Sequence, residues 1–253
     1  MIAWWMTQSL FIGAWLAGAA MLLDVAMRRL GRSARGVWVA ALLGLAALTA
    51  WSIGRPETPV PPAAMSVESP VPAATAAVPA ASLPWGNLFA VPQELLRHAG
   101  RAILRWEASL ALEPWLGGLW LALSALTALA LLGLHARVAV RRRRWPVLGD
   151  IDGVPVRIAD DEGPCVIGLV PAEIVLPAWA ASLPDGARAL IIAHEREHVR
   201  GGDPWLFAVA NAVLVALPWH PLAWWMQARL RLAIEVDCDR RCLAGGTDTG
   251  TYG

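Results

Sequence analysis

His194 and His198 stand four residues apart, with Glu195 directly after the first, in the run Ala193-His194-Glu195-Arg196-Glu197-His198. Positions i and i+4 share one face of a helix, so both imidazoles can hold one zinc ion while a glutamate lies beside the water that zinc activates. Zinc bound in this way polarises a carbonyl and lowers the pKa of water to about 7, and the glutamate can take the proton and deliver it to a leaving amine. That is the chemistry of peptide hydrolysis. The bland reading of the same five residues is a solvated polar helix face. A third ligand decides between the two, because a catalytic zinc keeps three protein ligands and one open position.

Candidates for that ligand lie downstream. Glu235 and Asp239 are again four apart, in Glu235-Val236-Asp237-Cys238-Asp239. One carboxylate can therefore ligate while the other accepts the free N–H of a ligating histidine. Cys238 and His220 are alternatives. A thiolate at Cys238 would make a structural site and leave Glu195 without a role, so Glu235 is modestly favoured.

The elements that must position these residues are unusually apolar. The chain has 253 residues, 57% hydrophobic and only 16% charged, with 15 Trp and a formal net charge of +1. An ordinary soluble domain carries charge on about a quarter of its residues, so composition alone indicates a membrane protein. Cys165, Cys238 and Cys242 are an odd set confined to the C-terminal half. That argues for reduced thiols rather than a disulfide framework.

Residues 4–23, 37–53 and 115–134 are each long and apolar enough for a transmembrane helix. The first reads as a retained anchor rather than a cleaved leader, since it is about 20 residues long and its arginines follow it. Arg28, Arg29, Arg32 and Arg35 fall between the first two spans, and Arg137 and Arg141 to Arg144 follow the third. The positive-inside rule then places both regions in the cytoplasm and the N-terminus outside. This gives two spans over 1–54 with an Arg-rich loop, an outer Pro/Ala-rich linker over 55–92, and an amphipathic helix plus third span over 93–136. Residues 137–253 form a cytoplasm-facing zinc domain. In it, 154–158, 164–170 and 173–176 read as short strands and 187–200 as a helix stopped by Gly201-Gly202. The apolar run 204–226 is broken at Pro218-Trp219-His220-Pro221, so its first limb is too short to cross. A single crossing would separate Glu235 from His194, so a shared site requires a re-entrant hairpin. The fold class expected is a mostly α membrane protein with three transmembrane helices and a small cytoplasmic α+β zincin-like domain carrying a membrane-embedded helical hairpin.

His194-Glu195-x-x-His198-x-Arg200-x-x-Asp203, Pro218-Trp219-His220-Pro221 and Glu235-x-x-Cys238-Asp239 together resemble the antirepressor membrane metallopeptidases typified by the BlaR and MecR receptors of β-lactam resistance. Pro164-x-x-x-Gly168 followed by Ile174-x-Leu176-Pro177 is similar to a pattern upstream of the zinc helix in that family. The resemblance implies a gluzincin with one Zn²⁺ per chain: His194, His198 and Glu235 as ligands, Glu195 as general base, Asp239 holding a histidine, and an edge strand at Val166, Ile167, Gly168 and Leu169 pairing with extended substrate.

The function expected is a multi-pass zinc metalloendopeptidase of a bacterial inner membrane, cleaving a cytoplasmic protein, such as a transcriptional repressor or itself, in response to a signal. The alternative is a non-catalytic membrane receptor or scaffold retaining the fold. Membrane lipids and a second copy of the chain are the other partners expected, and direct nucleic-acid binding is not, because a basic cluster just after a span is first a topology signal. The sequence holds no lysine. It therefore contains no Ser-x-x-Lys nucleophile motif of the kind the β-lactam receptors carry in their outer domain.

Overall fold

A computed structural model of the chain describes residues 2–53 and 113–244. The linker expected over 55–92 and the amphipathic helix expected after it lie outside the described residues. Three described helices are long and apolar enough to cross a membrane: α1 (Ile2–Arg29), α2 (Arg35–Ile53) and α3 (Glu113–Arg142). Each covers its predicted span and extends past it. A helix can run on into its flanking arginines because Arg is a good helix former and a basic last turn suits the helix dipole.

Burial in α1 falls on one stripe, Trp5, Ser9, Gly13, Ala17, Ala20 and Asp24, spaced three or four residues apart. The small side chains in its middle let neighbouring helices come close, as helices in lipid require. α2 and the C-terminal helix pack against α1. α3 buries none of its residues and touches the bundle near its start, where Trp120 Nε1 donates to the Ala216 carbonyl at 2.9 Å.

After α3 comes a four-stranded sheet of β1 (Val147–Ile151), β2 (Val154–Ala159), β3 (Cys165–Ile167) and β4 (Glu173–Pro177), in the order β1-β2-β4-β3. β2 and β4 are parallel and the other two pairs antiparallel. β1 was not expected from the sequence. It pairs with β2 across a two-residue Asp152-Gly153 turn in which both residues have positive φ, 53° and 80°, the geometry such hairpins favour. β3 is shorter than the predicted 164–170. Gly168 takes φ +78°, and a Cβ there would stand 2.6 Å from the Pro171 carbonyl oxygen, so the chain turns away after Ile167. Gly168 and Leu169 are therefore outside the strand, while Val166 and Ile167 are in it.

The short α4 (Ala178–Ala181) leads to α5 (Asp185–Gly201), which carries the two histidines. It packs Ile191, Ile192 and Val199 onto the sheet face formed by Val156, Ile174 and Leu176. α5 begins at Asp185, within the helix start expected at Ser182-Leu183-Pro184-Asp185, with Pro184 rather than Ser182 at its cap. Gly202, at φ 70° in the left-handed region, caps it with its N–H near the carbonyls of His198 and Val199. α6 (Asp203–Ala216) starts at once, and α7 (Pro221–Ala244) returns after the break at 217–220.

The α6–α7 turn reaches far along α1. His220 is fully buried there with Nε2 3.0 Å from the Ser9 carbonyl, and the Trp219 and Trp5 rings lie 5.8 Å apart. At the opposite end of the bundle, Asp24 pairs with Arg28 and Arg229. The second limb of the hairpin, α7, thus runs along most of α1. The sheet is joined to the spans by Glu173, a buried carboxylate that accepts from Arg142 at the end of α3 and from Arg157 on β2.

Candidate metal centre and active site

α5 and α7 bring the site together. The α5 helix places His194 and His198 on one face with their Nε2 atoms 3.2 Å apart. From α7, Glu235 Oε2 lies 3.7 Å from each of those nitrogens. Among the described residues, His194, His198 and Glu235 form a group whose ligand atoms all lie within 4.8 Å of one another. Around a tetrahedral zinc with bonds of about 2.0–2.1 Å, neighbouring ligand atoms sit roughly 3.3–3.4 Å apart. The observed triangle of 3.2, 3.7 and 3.7 Å is close to that. Two imidazole nitrogens and one carboxylate oxygen also form a donor set suited to a catalytic zinc.

A second group, His194 with Cys238 and Cys242, also satisfies the distance test. Its thiols are buried, and the Cys238 Sγ–H donates to the His194 backbone carbonyl at 3.3 Å. Burial is the largest influence on the Cys238 thiol and pushes its pKa far up, which disfavours the thiolate a metal needs. The histidine–glutamate set fits better. His220, the other candidate weighed, belongs to the distant α6–α7 turn.

The outer nitrogens of both histidines face carboxylates. Asp239 Oδ1 lies 3.4 Å from His194 Nδ1, on the same face of α7 as Glu235. His198 Nδ1 is 2.8 Å from Asp203 Oδ2, a contact the sequence reading did not assign. The signal was present: an aspartate immediately after the Gly201-Gly202 stop of the helix, in position to turn back onto its last turn. An Nδ1–H held by a carboxylate leaves the Nε2 lone pair facing the site, the tautomer a metal ligand needs. Asp203 is almost completely buried and is itself held by Arg35, at 2.7 Å, with Arg241 at 3.6 Å.

Glu195 is buried between the two histidines in sequence. Burial is the chief cause of a carboxyl pKa raised to about 7, with His198 opposing the rise and Glu235 adding to it. In His198, burial would lower the pKa, but Asp203, Glu235 and Glu195 outweigh it and raise it. Glu197 pairs with Arg200 on its own helix at 3.0 Å and with Arg241 on α7 at 3.1 Å.

Beside the histidines is a cavity of about 320 Å³ lined by Leu183, Ala187, Leu190 and Ile191, with Pro164 on the approach to β3 and Glu195 on its wall. β3 lies against α5 and at the edge of the sheet, paired only with β4 among the described residues.

Residues 156–252 match the family model described as BlaR1 peptidase M56. This part of the chain is similar to the M56 peptidase family. The match holds both histidines, Glu195, Glu235, β3, β4 and all but the first two residues of β2, while α1, α2 and α3 precede it. No curated protein matches the chain. The M56-like region thus follows three helices long and apolar enough to cross a membrane.

Proposed function

We propose that the chain is an integral-membrane zinc metalloendopeptidase that cleaves a cytoplasmic protein, either a repressor-like substrate or itself, in signal-dependent regulation. The observation that carries the reading is the convergence of His194 Nε2, His198 Nε2 and Glu235 Oε2 beside a buried Glu195. Zinc held there would supply a Lewis acid for the scissile carbonyl and for the attacking water. Glu195 receives the proton of that water and passes it to the leaving amine. Asp203 and Asp239 hold the two imidazoles in register. An extended substrate adds to the outer edge of β3 through its main chain, at Val166 and Ile167, and sets an apolar side chain into the cavity walled by Leu183, Leu190 and Ile191.

Orientation follows from the arginines. Arg35 contacts Asp203 and Arg142 contacts Glu173, so the two basic regions flanking the spans lie at the same end of the bundle as the M56-like region. By the positive-inside rule this arrangement supports a site in the cytoplasm, an N-terminus outside and an α6–α7 hairpin entering the bilayer from within.

The test is a Glu195→Gln protein in detergent or liposomes. It is expected to retain one zinc per chain and to lose cleavage of any protein or peptide the wild type cuts by about 10²–10⁴-fold. Equal cleavage by both would remove Glu195 from the chemistry. A wild type with neither zinc nor any response to chelator would favour the non-catalytic scaffold instead.

A further inference from the structure

We propose that Arg35, the first residue of α2, is a positioning residue for the metal centre, acting on His198 through Asp203; this rests on the zinc reading above. Three observations meet at this point. Arg35 Nη1 lies 2.7 Å from Asp203 Oδ1, while the other oxygen of the same carboxylate, Oδ2, lies 2.8 Å from His198 Nδ1. Asp203 is 1% exposed, so nearly all the groups that can satisfy its charge are protein groups, and Arg35 is the nearer of its two arginines. Gly201 is the gap through which the arginines arrive: a Cβ there would stand 2.7 Å from Arg35 Nη1, 2.8 Å from Arg241 Nη2 and 3.2 Å from Asp203 Oδ1.

The geometry gives each atom a share of the work. Asp203 heads α6, and a carboxylate anchored at one oxygen presents the other in one place. Arg35 is that anchor, and the imidazole plane of His198 follows from it. Arg35 also sits at the turn between α1 and α2. From the same turn Ser33 donates to Asp237 and Gly31 accepts from Arg240, both on α7 close to Glu235. The seating of the span pair is thereby built into two of the three ligand positions, and a shift of α1 and α2 against the M56-like region would loosen His198 first. The arginine that marks topology in the sequence has a second task in the fold.

The full chain in detergent micelles provides the test, read as zinc affinity by competition with a chromophoric chelator and as the visible absorption bands of the cobalt-substituted protein. Arg35→Gln is expected to weaken zinc binding by about 10- to 100-fold and to displace the cobalt bands. Arg35→Lys recovers part of the affinity, because a point charge replaces a fixed fork. Gly201→Ala, which keeps every charge but crowds both guanidinium groups, weakens binding in the same direction. Arg32→Gln, at an exposed neighbour in the same turn, leaves affinity and spectrum unchanged. The double variant Arg35→Gln/Asp203→Asn binds no more weakly than Asp203→Asn alone, since Arg35 acts only through that carboxylate. Zinc affinity in Arg35→Gln within twofold of wild type with unaltered cobalt bands, or additive losses in the double variant, would overturn the inference while leaving the zinc reading intact. Should Arg35→Gln fail to fold, wild-type affinity in both Arg35→Lys and Gly201→Ala overturns it equally. A wild type that takes up no zinc overturns the proposed function, and this inference with it.

Discussion

Glu235 Oε2 on α7 lies 3.7 Å from His194 Nε2 on α5, although the whole of α6 and the buried turn at His220 separate the two residues in the chain. The contact exists because α6 leaves the site at Asp203 and α7 comes back to it.

If Glu235 is the third ligand, Glu235→Ala should weaken zinc binding by more than about 100-fold, beyond the 10- to 100-fold effect typical of groups that only orient a ligand. Asp239→Asn should fall in that smaller range. Cys238→Ala should keep full zinc stoichiometry by elemental analysis. Loss of zinc in Cys238→Ala with retention in Glu235→Ala would move the site to the His194, Cys238 and Cys242 group.

The hairpin turn should be sensitive to a single methyl group on α1. A Cβ at Gly13 would stand 2.5 Å from His220 Cε1 and 2.9 Å from its Nε2. Gly13→Ala is expected to cost about 1–3 kcal/mol, read as a lowered melting temperature in detergent. Gly18→Ala, with nothing within 4 Å of the added carbon, is the matched control and should be neutral or slightly stabilising. Equal melting of the two variants would place the turn elsewhere.

Acid should weaken the link between α3 and the sheet. At Glu173 burial raises the carboxyl pKa, but the hydrogen bonds and charges of Arg157 and Arg142 outweigh it and bring it below the ordinary 4.5. A depressed pKa in the fold contributes stability that is present above 4.5 and is lost as pH falls through the lower folded value. Wild type should therefore be more stable than Glu173→Gln near neutrality, and the gap should shrink as pH drops below 4.5. A gap independent of pH would show that Glu173 acts by packing alone.

Much of this was legible in the sequence where the signal is local. The spans follow from length and apolar content, and the pairing of His194 with His198 follows from helical spacing. Glu235 was reachable because its carboxylate recurs with Asp239 at the same spacing and because the break at Pro218 rules out a full crossing by the first limb. What escaped depends on the third dimension. Asp203 sits past a helix stop, where periodicity gives no direction, and only the left-handed turn at Gly202 sends it back to His198. Arg35 has an adequate explanation as a topology charge, and nothing along the chain connects it to residue 203. β1 is poor in strand-forming residues, and its one sign was Asp152-Gly153, a two-residue hairpin turn flanked by Ile151 and Val154. The expected substrate strand runs two residues past the observed one, because Gly168 sits in an apolar run yet takes a positive φ that ends the strand.

The most direct measurement is anomalous scattering at the zinc edge from the purified full chain. The structure predicts one peak bonded to His194 Nε2, His198 Nε2 and a Glu235 carboxylate oxygen at about 2.0–2.2 Å. A peak held by Cys238 and Cys242, or no peak in protein prepared with zinc present, would contradict it.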